Sequence, residues 1–475
     1  MSDLAKNRLF AIEKESIGPI PAHERHGSGK QLFAIWMGMN MTPLTVVTGA
    51  TATTLLDLPF LPAALAILLG HAIGGIGMAL HAAQGPVLGI PQMLQARGQF
   101  GTKGANLVVV IAILMFVGYF ASNLVVSSAS VRAIIPQSNP SAIIIACAAL
   151  SFVIAAFGYN LIRKVTEISA YVVGALAVIA FAALLGTPEF WGNVLVGEFS
   201  WSGFCAMVAI GVVWQLAYAP YVSDYSRYMP RDSGARGAFW GTYLGCVVSS
   251  VLLMLLGAGV GVAYANLETM SAMSAIAGPF FGYLILFGFA LAAAAGNSVN
   301  VYCSTLCLLT LVETFRTGWR PAAKHRIAGS ALLHVIGAVL ALAAATSFAS
   351  SYFSFLSILL YLLIPWSAIN LVDYYLVRAG SYAVNDFYLP SGGRYGSWNR
   401  WALAVFVLGV VVQIPFMSTA FYAGPAAEVL GGIDIAWLVG LLFSGIAYLA
   451  ICRKVPSAVH AIAETATSTT PDWEK

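Results

Sequence analysis

Charge is what this chain has least of. Asp, Glu, Lys and Arg make up 9% of its 475 residues, against roughly 25% in soluble domains. Hydrophobic residues make up 59% and the mean hydropathy is +0.84, so a soluble globular fold is excluded. The formal net charge of +4 is too small to attract nucleic acid. No P-loop or dinucleotide fingerprint marks a soluble nucleotide-binding domain. Cysteine is also scarce: Cys147, Cys205, Cys246, Cys303, Cys307 and Cys452 fall mostly in apolar runs and lack metal-ligand spacing. They read as small buried hydrophobes. The segment before residue 31 has no short apolar core with a cleavage site. The N-terminus is therefore expected on the side of the membrane where it is made.

What is present is long apolar runs. A spanning helix needs about 20 such residues. Runs of that length fit at 31–55, 60–83, 104–131, 141–159, 166–186, 204–226, 238–264, 279–310, 327–348, 352–377, 401–421 and 433–452. With the N-terminus inside, only Arg132 of the 23 Lys and Arg falls in an outer loop, leaving 22 inside. That asymmetry is the positive-inside rule, and it predicts twelve spans with both termini cytoplasmic. The tail, ETATSTTPDWEK, reads as disordered.

Two of the runs are interrupted. The first carries Gly38, Asn40, Thr42 and Pro43 at its middle, and the sixth carries Pro220 amid Trp214, Gln215, Tyr218 and Tyr221. Proline removes a backbone donor and clashes with the preceding turn, so a helix must kink or open there. Freed backbone groups survive in a bilayer only beside protein or a wet cavity. Two interrupted spans five positions apart point to an inverted-repeat transporter with a midplane site.

The polar residues inside the other spans sort by helical spacing. Tyr119 and Asn123 in the third span are four apart and share a face. Asn297, Asn300 and Ser304 share a face of the eighth. Each set fits either a helix-packing face or the wall of a wet cavity. His71, His81 and His334 lie within or at the ends of spans, as proton carriers or as satisfied packing residues. No Asp, Glu, Lys or Arg falls near a predicted midplane. Amides and hydroxyls beside aromatic rings suit a neutral, planar, hydrogen-bonding solute. Asp224 and Arg227 end the sixth span at the cytoplasmic boundary and read as a gate or anchor. The connector GIPQMLQARGQFGTKGA, 89–105, reads as a gating loop or an ordinary inner loop. Asp373 and Arg378 lie near the inner end of the tenth span. A channel needs a continuous polar pore, whereas these polar residues gather at one depth. A membrane enzyme needs a nucleophile or metal constellation, and none is present.

With these motifs assembled, the chain resembles the nucleobase–cation symport-1 family in its purine–cytosine permease branch. The resemblance spans about residues 25–455 and rests on WMGMN, the connector PxxxxARGQFG, YAPYVSDYSRYMP, GNSVN and DYYLVRAGSY. It implies an all-α polytopic fold of twelve transmembrane helices, a leucine-transporter-type five-plus-five inverted repeat with helices 1 and 6 broken, and two C-terminal helices. The implied division is a cytoplasmic segment 1–30, a core 31–378 (first repeat 31–186, inverted second repeat 204–378), two additional helices 401–453 and a cytoplasmic tail 454–475. The resemblance further implies import of a neutral nucleobase, cytosine or purine, by symport with H+ or Na+ across the bacterial inner membrane, without a cofactor. Related substrates are vitamin precursors, allantoin, hydantoins and uracil.

Carried over by position, Tyr119 and Tyr218 stack on the base where relatives often have Trp, and Asn123 and Asn300 read its edge. Gly38 to Asn40 supply backbone contacts, with Trp214 and Gln215 beside them. Met39, Asn297 and Ser298 fall near the cation site.

Overall fold

The computed structural model describes residues 17–316, 319–345, 347–419 and 421–454. Residues 1–16 of the expected N-terminal segment and 455–475 of the expected tail lie outside the described residues, and Lys6, Arg8, Lys14 and Lys475 with them. Among the described residues the chain is helical, apart from one isolated bridge between Ser418 and Ala423.

The first expected span is two helices, α1 (Gly29–Asn40) and α2 (Pro43–Thr54), bent by 62° at the break. Ser28 and Gln31 form a capping box at the start of α1, and Pro43 opens α2 at the position where its missing N–H costs nothing. Then follow α3 (Phe60–Ala82), α4 (Asn106–Ile134), α5 (Pro140–Phe157) and α6 (Tyr159–Leu185). The sixth span is again divided, into α7 (Trp201–Leu216) and the short α8 (Val222–Ser226), with Pro220 in the turns between. After it come α9 (Arg231–Ala263), α10 (Thr269–Phe315), α11 (Ala323–Ala344) and α12 (Phe348–Val372). The last two are α13 (Arg400–Val411) and α14 (Ala436–Lys454). Among the described residues nine helices are long and apolar enough to cross a membrane, the α1–α2 pair makes a tenth, and α7 and α13 are shorter apolar helices. Each of the twelve expected runs overlaps one of these helices, and those at α7 and α13 fall short of spanning length.

Two spans differ from expectation. The eighth run is the inner part of a longer helix, since α10 begins at Thr269 and kinks at Gly278, whose φ is +72°, just before Pro279. The eleventh run is cut short: α13 stops at Val411 and a single 3-10 turn, Ile414–Phe416, carries Pro415. Proline cannot continue the helical hydrogen bonding.

Side chains on each helix divide between lipid and protein. On α3, Leu61, Leu65, Leu68, Leu69 and Ile76 are exposed, while Gly70, His71, Gly74, Gly75 and Met78 are buried. The buried face is glycine-rich because α7 and α9 approach its backbone. Small residues permit that contact between membrane helices, where there is no hydrophobic drive to hold them together.

The tightest approach is between α2 and α9. A methyl group added at Gly49 meets the Met254 carbonyl oxygen at 2.1 Å and its Cα at 2.3 Å. Backbone cannot give way as a flexible side chain does, so overpacking here costs on the order of 1–3 kcal/mol or more. Gly49→Val is expected to lower the thermal unfolding midpoint of the detergent-purified protein by several degrees, and an unchanged midpoint contradicts this packing.

Candidate functional site

Both breaks leave backbone groups that the chain itself satisfies. At the first, the Asn40 carbonyl accepts from the Thr42 N–H (2.8 Å) and the Thr45 hydroxyl (2.6 Å). At the second, the Tyr218 carbonyl accepts from the N–H groups of Tyr221 (3.0 Å) and Val222 (3.1 Å). The two breaks are held to each other by one side chain. Asn40 Oδ1 accepts three hydrogen bonds, from Trp214 Nε1 (2.9 Å), the Tyr218 hydroxyl (2.7 Å) and the Ser250 hydroxyl of α9 (2.8 Å). Its amide nitrogen donates to the Trp36 carbonyl at 3.0 Å.

Beside this junction is a tight cavity of about 20 Å³, room for about one water. It is lined by Met39, Thr42 and Leu44 from the first break, Tyr119 and Asn123 from α4, Trp214, Ala217, Tyr218 and Tyr221 around the second break, and Gly296 and Asn300 from α10. None of these eleven residues is Asp, Glu, Lys, Arg or His. The Tyr119 ring stands edge-on to Trp214 (centroids 6.1 Å apart) and to Phe355 (5.3 Å). Trp36 meets Tyr218 and Tyr221 edge-on from behind at 5.6 and 5.7 Å. The Tyr119 hydroxyl and Asn123 Oδ1 are buried without a hydrogen-bond partner. An unpaired polar atom costs roughly 1–3 kcal/mol when buried, and a water or a solute group at that spot would supply the missing partner.

The residues singled out in the sequence fall into three groups. Tyr119, Asn123, Trp214, Tyr218, Asn300 and Met39 share the cavity wall. Gly38, Asn40 and Gln215 do not. Gly38 is pressed against the Thr166 carbonyl of α6. The amide of Asn40 is fully committed as described, and Gln215 reaches away from the cavity to His71 and Ser250. Of the expected cation residues, Ser298 donates to the Ala295 carbonyl at 2.6 Å. Both ends of the Asn297 amide are buried without a partner. Spacing alone did not mark Thr42, Leu44, Ala217, Gly296 or Phe355. Their types are unremarkable in a membrane helix, and only the Thr42–Pro43 break signalled that region.

At the end of the bundle that holds α8, Asp224 Oδ1 accepts from the Gln92 N–H at 2.8 Å, tying α8 to the 89–105 connector. Arg227 Nε donates to the Asp224 carbonyl (3.2 Å) and Nη1 to the Gly18 carbonyl (3.4 Å). The connector is clamped further. Arg97 is 2.6 Å from Glu313 at the end of α10, and Gln99 donates to Asp373 (3.2 Å), which also pairs with Arg378 at 3.0 Å. Asp373 receives further hydrogen bonds from Tyr382 and Tyr448.

A family model described as permease for cytosine/purines, uracil, thiamine and allantoin matches residues 19–440. A Bacillus subtilis (strain 168) protein with the provisional name purine-cytosine permease is 37% identical over 444 residues, 93% of this chain and 96% of the relative. A purine-cytosine permease of Emericella nidulans is 25% identical, covering 93% and 88%. An allantoin permease of B. subtilis is 31% identical over 118 residues, 24% of this chain and 22% of the relative. Among solved structures, Mhp1, a nucleobase-cation-symport-1 family transporter in a closed conformation with bromovinylhydantoin bound, superposes with TM-score 0.76. It is 19% identical and covers 92% of this chain and 94% of its own. A Na+-coupled sialic acid symporter superposes with TM-score 0.65 at 12% identity, over 91% of each chain. At these identities the two structures establish the fold.

Removing the Asn40 amide leaves three buried donors without their acceptor, at roughly 1–3 kcal/mol for each unsatisfied group. Asn40→Ala is expected to destabilise the purified protein more than Asn300→Ala does. Equal melting temperatures for the two variants contradict the role given to Asn40.

Proposed function

The chain belongs to the family of permeases for cytosine/purines, uracil, thiamine and allantoin, and from that membership we propose that it imports a neutral, planar nucleobase, cytosine or a purine, together with a cation. The protein is a transporter and not an enzyme. The observation that carries the substrate reading is the cavity at the two breaks, built of aromatic rings and amides without an ionised side chain. Rings give stacking area to a flat heterocycle, and amides pair with donors and acceptors along its edge. Tyr119 and Tyr218 are assigned to the faces of the base, Asn123 and Asn300 to its edge, and Trp214 and Met39 to the surrounding wall. Gly38, Asn40 and Gln215 act one layer behind, holding the broken helices in place.

The coupling ion is H+ or Na+. The unpartnered Asn297 amide, with Ser298 and Met39, is the candidate locus for a metal cation, because carbonyl and hydroxyl oxygens are the ligands such an ion takes. We assign residues 31–186 and 204–378 to the two inverted repeats and 401–453 to an added helix pair. Both termini are placed on the cytoplasmic face of the inner membrane. Asp224 and Arg227 then form part of the inner gate, which opens when the connector leaves α8. A smaller set of heterocycles, allantoin and hydantoins among them, forms the second reading, favoured by the allantoin permease relative and by the ligand of the Mhp1 structure.

Labelled cytosine uptake into proteoliposomes, competed by unlabelled adenine, hypoxanthine, uracil, allantoin and a hydantoin, tests the assignment. Cytosine or a purine is expected to compete best. Asn300→Ala is expected to raise KM roughly ten- to a hundredfold, the loss of one or two buried hydrogen bonds, at normal expression. Unchanged kinetics in that variant, or competition by allantoin or the hydantoin alone, overturns the assignment.

A further inference from the structure

The hydrogen-bond chain through Gln215 leads to a group the cavity does not contain. His71 is the middle residue of the 23 in α3, about 16 Å from either end at 1.5 Å per residue. It is fully buried. Its Nδ1 lies 2.8 Å from Gln215 Nε2, and its Nε2 lies 3.1 Å from Met254 Sδ. Gln215 Nε2 also reaches the Ser250 hydroxyl at 3.4 Å, and that hydroxyl donates to Asn40 Oδ1 at 2.8 Å. Asn40 in turn holds Trp214 and Tyr218, both in the cavity wall. An unbroken line of four residues therefore joins an ionisable side chain at mid-membrane to the place where both helices break. One atom in the line is unused: Gln215 Oε1 is buried without a partner.

The other candidates for carrying a proton are less well placed. His334 bonds to Ser330 and Ser151 on α11 and α5. His81 stacks on Trp366 and bonds to the Gly77 carbonyl near the end of α3. The helices packed on α3 bring few ionisable groups to His71. They are Cys205 on α7, Tyr243 and Cys246 on α9, Tyr352 and Tyr361 on α12, and Asp224 and Tyr225 on α8. Helix α2 and the short helix Gln84–Leu88 carry none. Arg231, Asp232 and Arg236 sit at the start of α9, the last about 21 Å along the helix from Ser250. The Asp224 carboxylate is engaged by the Gln92 N–H.

We infer that His71 takes up the driving proton and that Gln215 and Ser250 relay its protonation state to Asn40. This rests on the cation-symport reading above and takes H+ as the cation. In the neutral ring, Nδ1 accepts from the Gln215 amide and the proton sits on Nε2. A proton arriving from outside binds Nδ1, and both ring nitrogens are then donors. The Gln215 N–H can no longer face it, so the amide turns over and Oε1 accepts from Nδ1–H. The Ser250 hydroxyl then donates to Gln215 Oε1 and leaves Asn40, which keeps two of its three donors. The junction between the breaks loosens in the protonated state only. When the proton leaves to the cytoplasm, the amide turns back and the junction is restored. No bond other than N–H forms or breaks.

The test uses His71→Gln, which keeps an acceptor for Gln215 and cannot titrate, and Ser250→Ala, which keeps His71 and cuts the relay. Wild-type protein in proteoliposomes is expected to accumulate labelled base about tenfold per unit of inward pH gradient, for one proton per solute. Both variants are expected to exchange labelled for unlabelled base at equal concentration while their gradient-driven accumulation ratio falls to about one. Accumulation by His71→Gln at the wild-type ratio overturns the inference. So does wild-type accumulation that follows a Na+ gradient and ignores pH, and so does loss of exchange in both variants, which makes the line a packing feature. If the wild type exchanges none of the bases offered, the substrate reading fails, and a substrate-free measurement then decides on His71. Tryptophan emission titrated from about pH 5 to 8 is expected to show a step in wild type that is missing in His71→Gln. A flat wild-type curve overturns the inference.

Discussion

A single amide oxygen, Asn40 Oδ1, receives an indole N–H, a phenol and a serine hydroxyl from two other helices. In water these donors would exchange among many partners. In a dry helix bundle they have few alternatives, and an unmet polar group costs several kcal/mol. The consequence is positional. Trp214 and Tyr218 stand in the cavity wall because their polar ends are fixed at the first break, and the open turns at the second break can be irregular without being loose. The binding surface is thus specified from behind, by a residue that does not line it.

The end of the bundle that holds the 89–105 connector works on a different principle. There the chain buries charged side chains and pairs several of them, although Arg326 Nε is buried without a partner. Arg97 meets Glu313, Arg378 meets Asp373, and the Asp224 carboxylate takes a backbone N–H from the connector. Gln84, Gln92, Gln95, Gln99 and Asn370 join these through amide–amide hydrogen bonds. Breaking one partner from such a set leaves an uncompensated buried charge, which is more costly than the pair is favourable. The set is therefore costly to take apart one partner at a time.

Much of this was legible in the sequence, and the reasons are particular. The helices could be placed because 20-residue apolar runs and the bias of Lys and Arg leave few alternatives. Tyr119, Asn123, Trp214, Tyr218 and Asn300 stood out as polar or amphipathic side chains in apolar surroundings, and they share one wall. Spacing could not tell which way Asn40 and Gln215 point, because a residue at a helix break obeys no 3.6-residue period. Thr42, Leu44, Ala217 and Gly296 line the cavity by virtue of backbone course, which leaves no mark on residue type. The kink at Gly278 and the early stop of α13 were written in Gly-Pro and in Pro415, yet each merged into a longer apolar run. The charged cluster was visible only as scattered residues at span ends, since its partners lie far apart in the chain, as Gln99 and Asp373 do at 274 positions.

The cavity wall carries no ionised side chain, and this has an electrical consequence. On the proposed symport of a neutral solute with one cation, one net positive charge moves per cycle, so that cycle is electrogenic. An inside-negative membrane potential then acts on the ion directly, by about 2.3 kcal/mol per 100 mV. That is roughly fortyfold in the attainable concentration ratio, even where the cation's own concentrations are equal on the two sides. A carboxylate in the wall that neutralised the cation on the inward stroke and returned empty would shift part of the voltage dependence to the return step. Without one, the potential in the proposed cycle pulls on the loaded carrier.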